Sequence, residues 1–286
     1  MPVSSWINFR SCSMKVPFQR LVRFRDPDGN ILYGEAPPGN SLCGQRVPVY
    51  VGNHPWDLRE SGHHQVITEV LCPLAQTPLV YGVGLNYEKH IVECGYPRPE
   101  YPSNFVKPPD ALNGPYSDVH VNKNHPDIDY EGELVFIVGR DACAIETAHA
   151  EDYILGYTVG NDVTSRHWQR VPGIGNSFGK SADGFAPIGP VIVTTGVVES
   201  EGLELVTMVN SEERQRSRLD DLRFKAGDIL AHLTKFNTLR AGTVVMTGTP
   251  AGVGAFMNPP SWLRDGDVVE VYISDIGTIR NRFVFG

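Results

Sequence analysis

Apolar and polar residues alternate in short runs along most of the chain, a pattern typical of β-strands with one buried face. The runs FQRLVRF and ILYGEA flank the turn DPDGN and predict a β-hairpin that begins at Phe18. Further strands are predicted across the second half of the chain, at 187–195, 203–210, 243–248, 267–273 and 278–285. The pattern therefore predicts a mainly β fold with some α-helix.

Helical spacing of apolar residues is confined to a few segments. NYEKHIVECG has this spacing, and a longer amphipathic helix is predicted near 225–236. Shorter helices are predicted near 148–153 and in SRHWQR. The 29 glycines and 22 prolines imply many turns, which also favours a turn-rich β architecture.

The frequency of turn residues changes along the chain and indicates three regions. We expect an N-terminal extension at 1–15, a small β-rich domain at 16–76 with many Gly- and Pro-containing turns, and a second domain at 77–286. Within the second domain, the proline-rich segment 96–109 is predicted to be a loop.

Composition narrows the classes of partner. The net charge of −8 with dispersed basic residues argues against nucleic-acid binding, and no apolar run approaches the roughly 18 residues of a membrane span. A small molecule is the expected partner. The five cysteines never form a CxxC pair, which favours a reducing compartment and a cytoplasmic location. A mitochondrial location is the alternative, because residues 1–25 contain five basic residues and no acidic one.

Two glutamates one residue apart, Glu131 and Glu133, interrupt the apolar run DYEGELVFIVG. In a strand, residues i and i+2 face the same side, so both carboxylates are expected in one site. Two like charges held that close need a cation, and hard oxygen ligands select Mg²⁺, Mn²⁺ or Ca²⁺ over Zn²⁺. The alternative is an edge strand with two solvated glutamates.

A third acid, Asp162, follows the apolar run ILGYTVGN at a predicted strand end. Three carboxylates with water would complete the shell of a hard metal. Alternatively, Asp162 or Thr164 only caps the following helical turn.

His90 and Glu93 are spaced i, i+3 on a predicted helix. The carboxylate can fix one imidazole nitrogen and leave the other to act as a base toward water. A surface pair with this spacing is the alternative.

Lys180 lies among glycines in PGIGNSFGKSADGFAPIGP, where the backbone can approach a ligand closely. A phosphate-binding loop is excluded, because GxxxxGK[ST] requires a glycine at the position of Ile174.

Several of these motifs occur together in one order. YGVGLNYEKH, NFVKP, DYEGELVFIVG, GYTVGNDVTSRHWQ, GKSADGFAPIGP and TGTPAGVG extend over roughly residues 77–286 and together resemble the fumarylacetoacetate hydrolase family. The resemblance implies a mixed β-sandwich roll, a homodimer, a bound Mg²⁺ or Mn²⁺ with Ca²⁺ as an alternative, and a 2-oxo or 1,3-dicarbonyl acid as substrate. By position it implies metal ligands at Glu131, Glu133 and Asp162, catalytic residues at His90, Glu93 and Lys180, and substrate-binding residues at Arg166, Gln169 and Thr249.

The resemblance leaves three functions open. A metal-dependent hydrolase that cleaves C–C bonds of acylpyruvate-like acids through a metal-bound enolate is the first prediction. A decarboxylase or keto-enol tautomerase of oxaloacetate-like acids, which shares that enolate, is the alternative. A non-catalytic ligand-binding relative is the third.

Two segments depart from the family pattern. The hairpin NSEERQ has Ser211 where family members commonly carry glycine, although Gln215 is kept. The stretch CGYPRPEYPSN is unusually rich in proline and is interpreted as a lid over the ligand. Lys107 is left outside the catalytic set, as a residue that either contacts substrate or extends along the surface.

Overall fold

The computed structural model describes residues 15–39, 41–197 and 202–286. Residues 1–14 of the predicted N-terminal extension lie outside the described residues. Nineteen strands, three α-helices and five 3-10 helices form within the described residues.

The strands are β1 (Arg20–Arg25), β2 (Ile31–Glu35), β3 (Arg46–Val51), β4 (Arg59–Val66), β5 (Glu69–Val70), β6 (Val80–Gly84), β7 (Ser103–Lys107), β8 (Leu112–Asn113), β9 (Val119–Val121), β10 (Ile128–Asp129), β11 (Gly132–Val138), β12 (Ile154–Asn161), β13 (Thr164–Ser165), β14 (Ala186–Val193), β15 (Glu204–Val209), β16 (Glu212–Arg218), β17 (Val244–Met246), β18 (Val268–Ile273) and β19 (Gly277–Phe285). The α-helices are α1 (Glu88–Cys94), α2 (Arg166–Arg170) and α3 (Ala226–Leu233). The 3-10 helices are Pro109–Ala111, Thr147–Tyr153, Phe178–Lys180, Leu219–Asp221 and Gly254–Phe256.

Two large mixed sheets confirm the mainly β fold class. Ten strands form the main path of the first sheet in the order β4-β3-β2-β1-β14-β12-β11-β17-β6-β7, and β5 and β8 pair at its side. The second sheet has the order β16-β15-β18-β19-β9. Leu205, Val271 and Ile279 of the second sheet share one core with Leu134 and Phe136 of the first. The two sheets therefore pack face to face as a sandwich.

The central strands β11, β12 and β14 are buried along their whole length. Long apolar runs such as LVFIV in β11 are typical of strands covered on both faces. This burial holds the polar residues at the ends of these strands in fixed positions.

The predicted hairpin is confirmed, since β1 and β2 pair from Leu21–Glu35 to Arg25–Ile31. The carboxylate of Asp26 accepts hydrogen bonds from the backbone N–H groups of Asp28 and Asn30, which stabilises the turn. The first strand also pairs with β14, so the N-terminal strands extend the main sheet. The division into domains at residue 77 stays a prediction.

The prediction of a loop at 96–109 is wrong in part, because β7 lies inside it and pairs with β6 at the edge of the main sheet. Pro102 and Pro108 flank β7, and proline is tolerated at strand ends because no ladder donor is needed there. The helix predicted after β6 is confirmed as α1, which ends at Gly95 with φ 68°. No described helix is both long and apolar enough to cross a membrane.

Candidate active site

The site begins where two neighbouring strands meet. Because β11 and β12 are antiparallel, with Gly132 opposite Asn161, the start of one lies beside the end of the other. Glu131 therefore neighbours Asp162, whose N–H donates to the Glu131 carbonyl at 2.9 Å. The backbone N–H of Glu131 donates to the Asn161 side chain at 3.0 Å.

The structure brings the three predicted carboxylates together. One oxygen each from Glu131, Glu133 and Asp162 lies within 4.8 Å of the others. The exposed fractions of these residues are 6%, 1% and 0%. The interpretation of solvated glutamates on an edge strand is therefore wrong for these two glutamates.

Three buried cations surround the acidic cluster. Lys180 Nζ donates to Glu131 Oε2 at 2.8 Å and also to Asp162 Oδ2 and Thr164 Oγ1. The Arg166 guanidinium contacts Glu131 Oε1 at 2.6 Å. Both cations therefore contact the acidic cluster, and the catalytic role of Lys180 and the substrate-binding role of Arg166 stay predictions.

Lys107 is the third cation, and sequence reasoning left it outside the site. It is fully buried, pairs with Asp162 Oδ1 at 2.6 Å and donates to the carbonyls of Val163 and Phe185. Burial lowers the pKa of Lys107, and the charge of Asp162 partly offsets this effect. The surface alternative for Lys107 is therefore wrong, and its contact with Asp162 places it at the base of the cluster.

The two glutamates have opposite electrostatic surroundings. Burial raises the pKa of Glu131, but the charges of Lys180 and Arg166 outweigh burial and lower this pKa to about 2. Burial, reinforced by the charges of Asp162 and Glu131, raises the pKa of Glu133 well above its ordinary value. Glu133 forms no ion pair with a described residue, and its Oε2 accepts one hydrogen bond from the Gly248 N–H at 2.6 Å.

Asp129 is a second residue that the sequence did not indicate. It is fully buried, accepts a hydrogen bond from Arg166 Nε at 2.8 Å, and also accepts from the N–H groups of Gly254 and Ala255. This carboxylate orients Arg166 and ties β10 to the loop after β17. Its position two residues before Glu131, with the same strand-face spacing, was the only available signal.

The predicted dyad forms as expected from its spacing. His90 Nδ1 lies 2.7 Å from Glu93 Oε2, and Glu93 Oε1 accepts from the Gly252 N–H at 2.8 Å. The carboxylate therefore holds the ring through Nδ1 and leaves Nε2 without a carboxylate partner, and His90 lines the cavity. Cys94 Sγ is 3.5 Å from this nitrogen.

The TGTPAG loop, residues 247–252, is held closely against its neighbours. Gly248 has φ 103°, and a Cβ there would lie 2.9 Å from the Val83 carbonyl, so only glycine fits. The Thr249 hydroxyl donates to the Gly132 carbonyl and accepts from Gln215 Nε2. Thr249 lines the cavity, but its hydroxyl is already engaged, and its role in substrate binding stays a prediction.

A cavity of about 620 Å³ opens onto these groups. Gln169 lies on its wall, where its Oε1 accepts from Arg166 and its Nε2 donates to Asn176. A volume of this size is typical of small-molecule sites. The cavity lining thus combines Glu131 and Glu133 with His90 and the predicted substrate-binding residues.

The acidic cluster fits a divalent ion. Four buried carboxylates (Asp129, Glu131, Glu133 and Asp162) face three buried cations (Lys107, Arg166 and Lys180), which leaves one carboxylate uncompensated. That carboxylate belongs to Glu133, and an unpaired buried charge is costly unless a cation joins it. Oxygen donors alone suit Mg²⁺, Mn²⁺ or Ca²⁺.

Known proteins are similar to this chain in sequence. Residues 79–284 match the family model described as fumarylacetoacetate (FAA) hydrolase C-terminal. A mitochondrial oxaloacetate tautomerase of Xenopus laevis is 36% identical over 217 residues, which cover 75% of this chain and 68% of that protein. The oxaloacetate tautomerase YisK of Bacillus subtilis is 38% identical over 209 residues, which cover 70% and 67%.

Solved structures resemble the fold over nearly the whole chain. A 2-hydroxyhepta-2,4-diene-1,7-dioate isomerase from Mycobacterium marinum has a TM-score of 0.80 at 32% identity and covers 93% of this chain and 98% of that chain. A 5-carboxymethyl-2-hydroxymuconate delta-isomerase from Mycobacterium smegmatis has a TM-score of 0.81 at 32% identity, with coverage of 93% and 100%.

Proposed function

The chain belongs to the fumarylacetoacetate hydrolase family, and on that premise we propose that it is a metal-dependent tautomerase that interconverts the keto and enol forms of oxaloacetate-like 2-oxo acids. The first prediction from the sequence was a C–C bond hydrolase. The relatives named oxaloacetate tautomerase and the structural neighbours named isomerases support the alternative better than that prediction.

The observation that carries the proposal is one buried, uncompensated carboxylate in a cavity that also contains a fixed histidine. Glu131, Glu133 and Asp162 would hold Mg²⁺ or Mn²⁺. Such an ion, when bound, supplies the positive charge that acidifies the C–H bond beside a ketone.

Tautomerisation requires a proton to leave carbon and a proton to reach oxygen. His90 Nε2 is the base that this chain offers, because Glu93 occupies the other ring nitrogen. When the C–H bond breaks, its proton goes to His90 Nε2, its electron pair forms the C=C bond and the ketone oxygen becomes negative. That oxygen then takes a proton from the His90 imidazolium or from water, which completes the transfer. Lys180 lines the cavity, and its ammonium, although paired with Glu131 and Asp162, would add positive charge beside this oxygen.

Hydrolysis is the second candidate, because the same dyad is suited to activate water. His90 held by Glu93 could remove a proton from water as readily as from carbon. Decarboxylation shares the enolate with both reactions. The three reactions therefore differ in the bond that breaks and not in the residues that surround it.

The test measures all three outcomes in one assay with the Mn²⁺-loaded protein. We expect the protein to speed the loss of the oxaloacetate enol absorbance over the protein-free reaction, without a matching release of pyruvate. We expect it to cleave an acylpyruvate more slowly than it tautomerises oxaloacetate. His90→Ala is expected to lower turnover at least about 100-fold and to spare Mn²⁺ binding in calorimetry. Glu131→Ala is expected to lose both metal binding and turnover.

His149→Ala is the matched control, since His149 is exposed on the 3-10 helix Thr147–Tyr153. Full tautomerase activity of His90→Ala, or acylpyruvate cleavage faster than tautomerisation by the wild-type protein, would contradict the proposal.

A homodimer in the cytoplasm remains the expected assembly and location, and a mitochondrial location remains the alternative, since the Xenopus laevis relative is named as mitochondrial. The thiols of Cys43, Cys72, Cys94 and Cys143 are free, which supports a reducing compartment.

A further inference from the structure

Among the described residues, one Lys or Arg side chain that lines the cavity, Arg170, forms no ion pair with the acidic cluster. Arg166, Arg170 and Lys180 are the Lys and Arg side chains that line the cavity within the described residues. Arg166 and Lys180 are paired with buried carboxylates. Arg170 forms no ion pair with any described carboxylate, so its charge is free for a ligand.

Helix geometry places Arg170 away from the cluster and toward the cavity mouth. Arg166 and Arg170 are the first and last residues of α2 and are spaced i, i+4, so they share one face of the helix. The rise along four helical residues is about 6 Å. Arg166 is buried against Glu131, whereas Arg170 is exposed to solvent.

Gln169 and Asn176 also offer polar groups on the cavity wall beside Arg166 and Arg170. Arg166 donates to Gln169, and Gln169 donates to Asn176, which also lines the cavity. The guanidinium carbon of Arg170 lies 6.0 Å from the centre of the Trp262 ring. A contact of this kind restrains the long side chain without neutralising it.

We propose that Arg170 binds the second carboxylate of a dicarboxylic acid, which makes it the residue that selects dianionic over monoanionic substrates; this inference rests on the proposed tautomerase function. In this proposal the first carboxylate and the ketone of the substrate would face the acidic cluster, where Arg166 and Lys180 are already paired with carboxylates. The second carboxylate adds a negative charge that the paired cations of the acidic cluster do not neutralise. Arg170 supplies the missing cation in a planar form that can donate two parallel hydrogen bonds to a carboxylate.

The test separates carboxylate recognition from catalysis by the use of unreactive ligands. Malate and 2-hydroxybutyrate have the same chain length and differ by a carboxylate in place of a methyl group. We expect the Mn²⁺-loaded wild-type protein to bind malate more tightly in calorimetry. Arg170→Gln is expected to weaken malate binding about tenfold, as expected for the loss of a hydrogen bond to a charged group, and to change 2-hydroxybutyrate binding less than about twofold.

Two further variants make the result specific. Arg170→Lys keeps the charge and is expected to restore part of the affinity for malate. Arg59→Gln removes the same charge from the exposed surface of β4, at the far end of the main sheet, and is expected to bind both acids as the wild type does.

Kinetics provide the second readout. With oxaloacetate, Arg170→Gln is expected to raise KM about tenfold and to leave kcat within about twofold, because Arg170 contacts a group that does not react. Equal losses for malate and 2-hydroxybutyrate, or equal wild-type affinities for the two acids, would overturn the inference. Selective malate binding by a protein without tautomerase activity would instead refute the proposed function and leave the role of Arg170 intact.

Discussion

Glu131 and Glu133 show how two identical side chains in one short segment acquire different roles. Glu131 is paired with two cations, so its charge stabilises the fold above its ordinary pKa of 4.5, and this stabilisation is lost as the pH falls toward 2. Glu133 has no such partner, and its pKa is raised. Glu133 therefore ionises more readily in the unfolded protein than in the folded one. Its contribution to the free energy of unfolding is fully present below pH 4.5 and is lost as the pH rises.

The substitution Glu133→Gln is therefore expected to stabilise the metal-free protein while it removes metal binding. The amide keeps an acceptor for the Gly248 N–H and carries no buried charge. We expect the unfolding midpoint at pH 8 in EDTA to rise by a few degrees, since about 1 kcal/mol corresponds to roughly 2–4 °C in a chain of this size. Thermal unfolding between pH 6 and 9 should also depend less on pH than in the wild type. A lower midpoint than the wild type at pH 8 would contradict this account.

Lys107 illustrates a site residue that local sequence cannot reveal. Its burial results from the pairing of β7 with β6 and from contact with Asp162, which is 55 positions away along the chain. The acidic trio was predictable because spacing i, i+2 and recognisable motifs mark it. Asp129 shares that spacing with Glu131, but no spacing relates it to its partner Arg166, or Lys107 to its partner Asp162.

Lys107→Met is expected to destabilise the fold by about 3 kcal/mol, because it leaves Asp162 with one buried cation fewer. Denaturant unfolding measures this loss directly. Lys123→Met is the control, since Lys123 is exposed, and it should change stability by less than about 0.5 kcal/mol. The double variant Lys107→Met with Asp162→Asn should recover part of the loss. Equal stability of Lys107→Met and the wild type would show that the Lys107–Asp162 pair contributes nothing to the free energy of unfolding.

At the scale of elements, the hairpin between β15 and β16 connects the second sheet to the site. Asn210 and Ser211 both have positive φ, 50° and 67°, in the two-residue turn. Two-residue turns of this conformation favour Asn-Gly. This preference explains why glycine is common in the family at the position that Ser211 occupies here. From β16, Gln215 accepts from the Gly132 N–H and donates to Thr249 and the Pro250 carbonyl, so this hairpin supports the floor of the site.

Ser211→Gly is expected to stabilise the protein by about 0.5–1 kcal/mol, because glycine adopts positive φ without a steric penalty. Tautomerase activity should remain unchanged, since Ser211 is exposed. Ser211→Ala keeps the penalty and serves as the control in the same denaturant titration. A gain in stability for the alanine variant equal to that for glycine would exclude the conformational explanation.

Strand positions were predictable at this scale because a half-buried strand requires apolar and polar residues to alternate, as they do in the β1–β2 hairpin. Strand partners were not predictable, because pairing depends on contacts between distant segments. The short β7 was missed because its flanking prolines predict a loop, while its place at the sheet edge tolerates them.

At the scale of the whole molecule, residues on both sides of position 77 pack in one core, while the domain boundary there stays a prediction. Phe18 and Leu21 belong to the same core cluster as Val135, Leu155 and Ile192. Sequence composition reports local turns and cannot report that β1 joins β14. The two predicted domains thus share apolar surface that either would expose alone.

We therefore expect the described regions to unfold in one cooperative transition. In a protein whose other three tryptophans are replaced by phenylalanine, fluorescence of Trp56, which packs against Gly242, and far-ultraviolet circular dichroism should give the same midpoint without metal. Leu21→Ala removes a fully buried side chain and should lower both midpoints equally, with a cost of about 2–5 kcal/mol. Val51→Ala, on the exposed side of β3, is the control and should shift neither by more than the equivalent of about 0.5 kcal/mol. Two separate transitions, with only the Trp56 signal moved by Leu21→Ala, would show that the N-terminal strands fold independently of the sheet that holds the site.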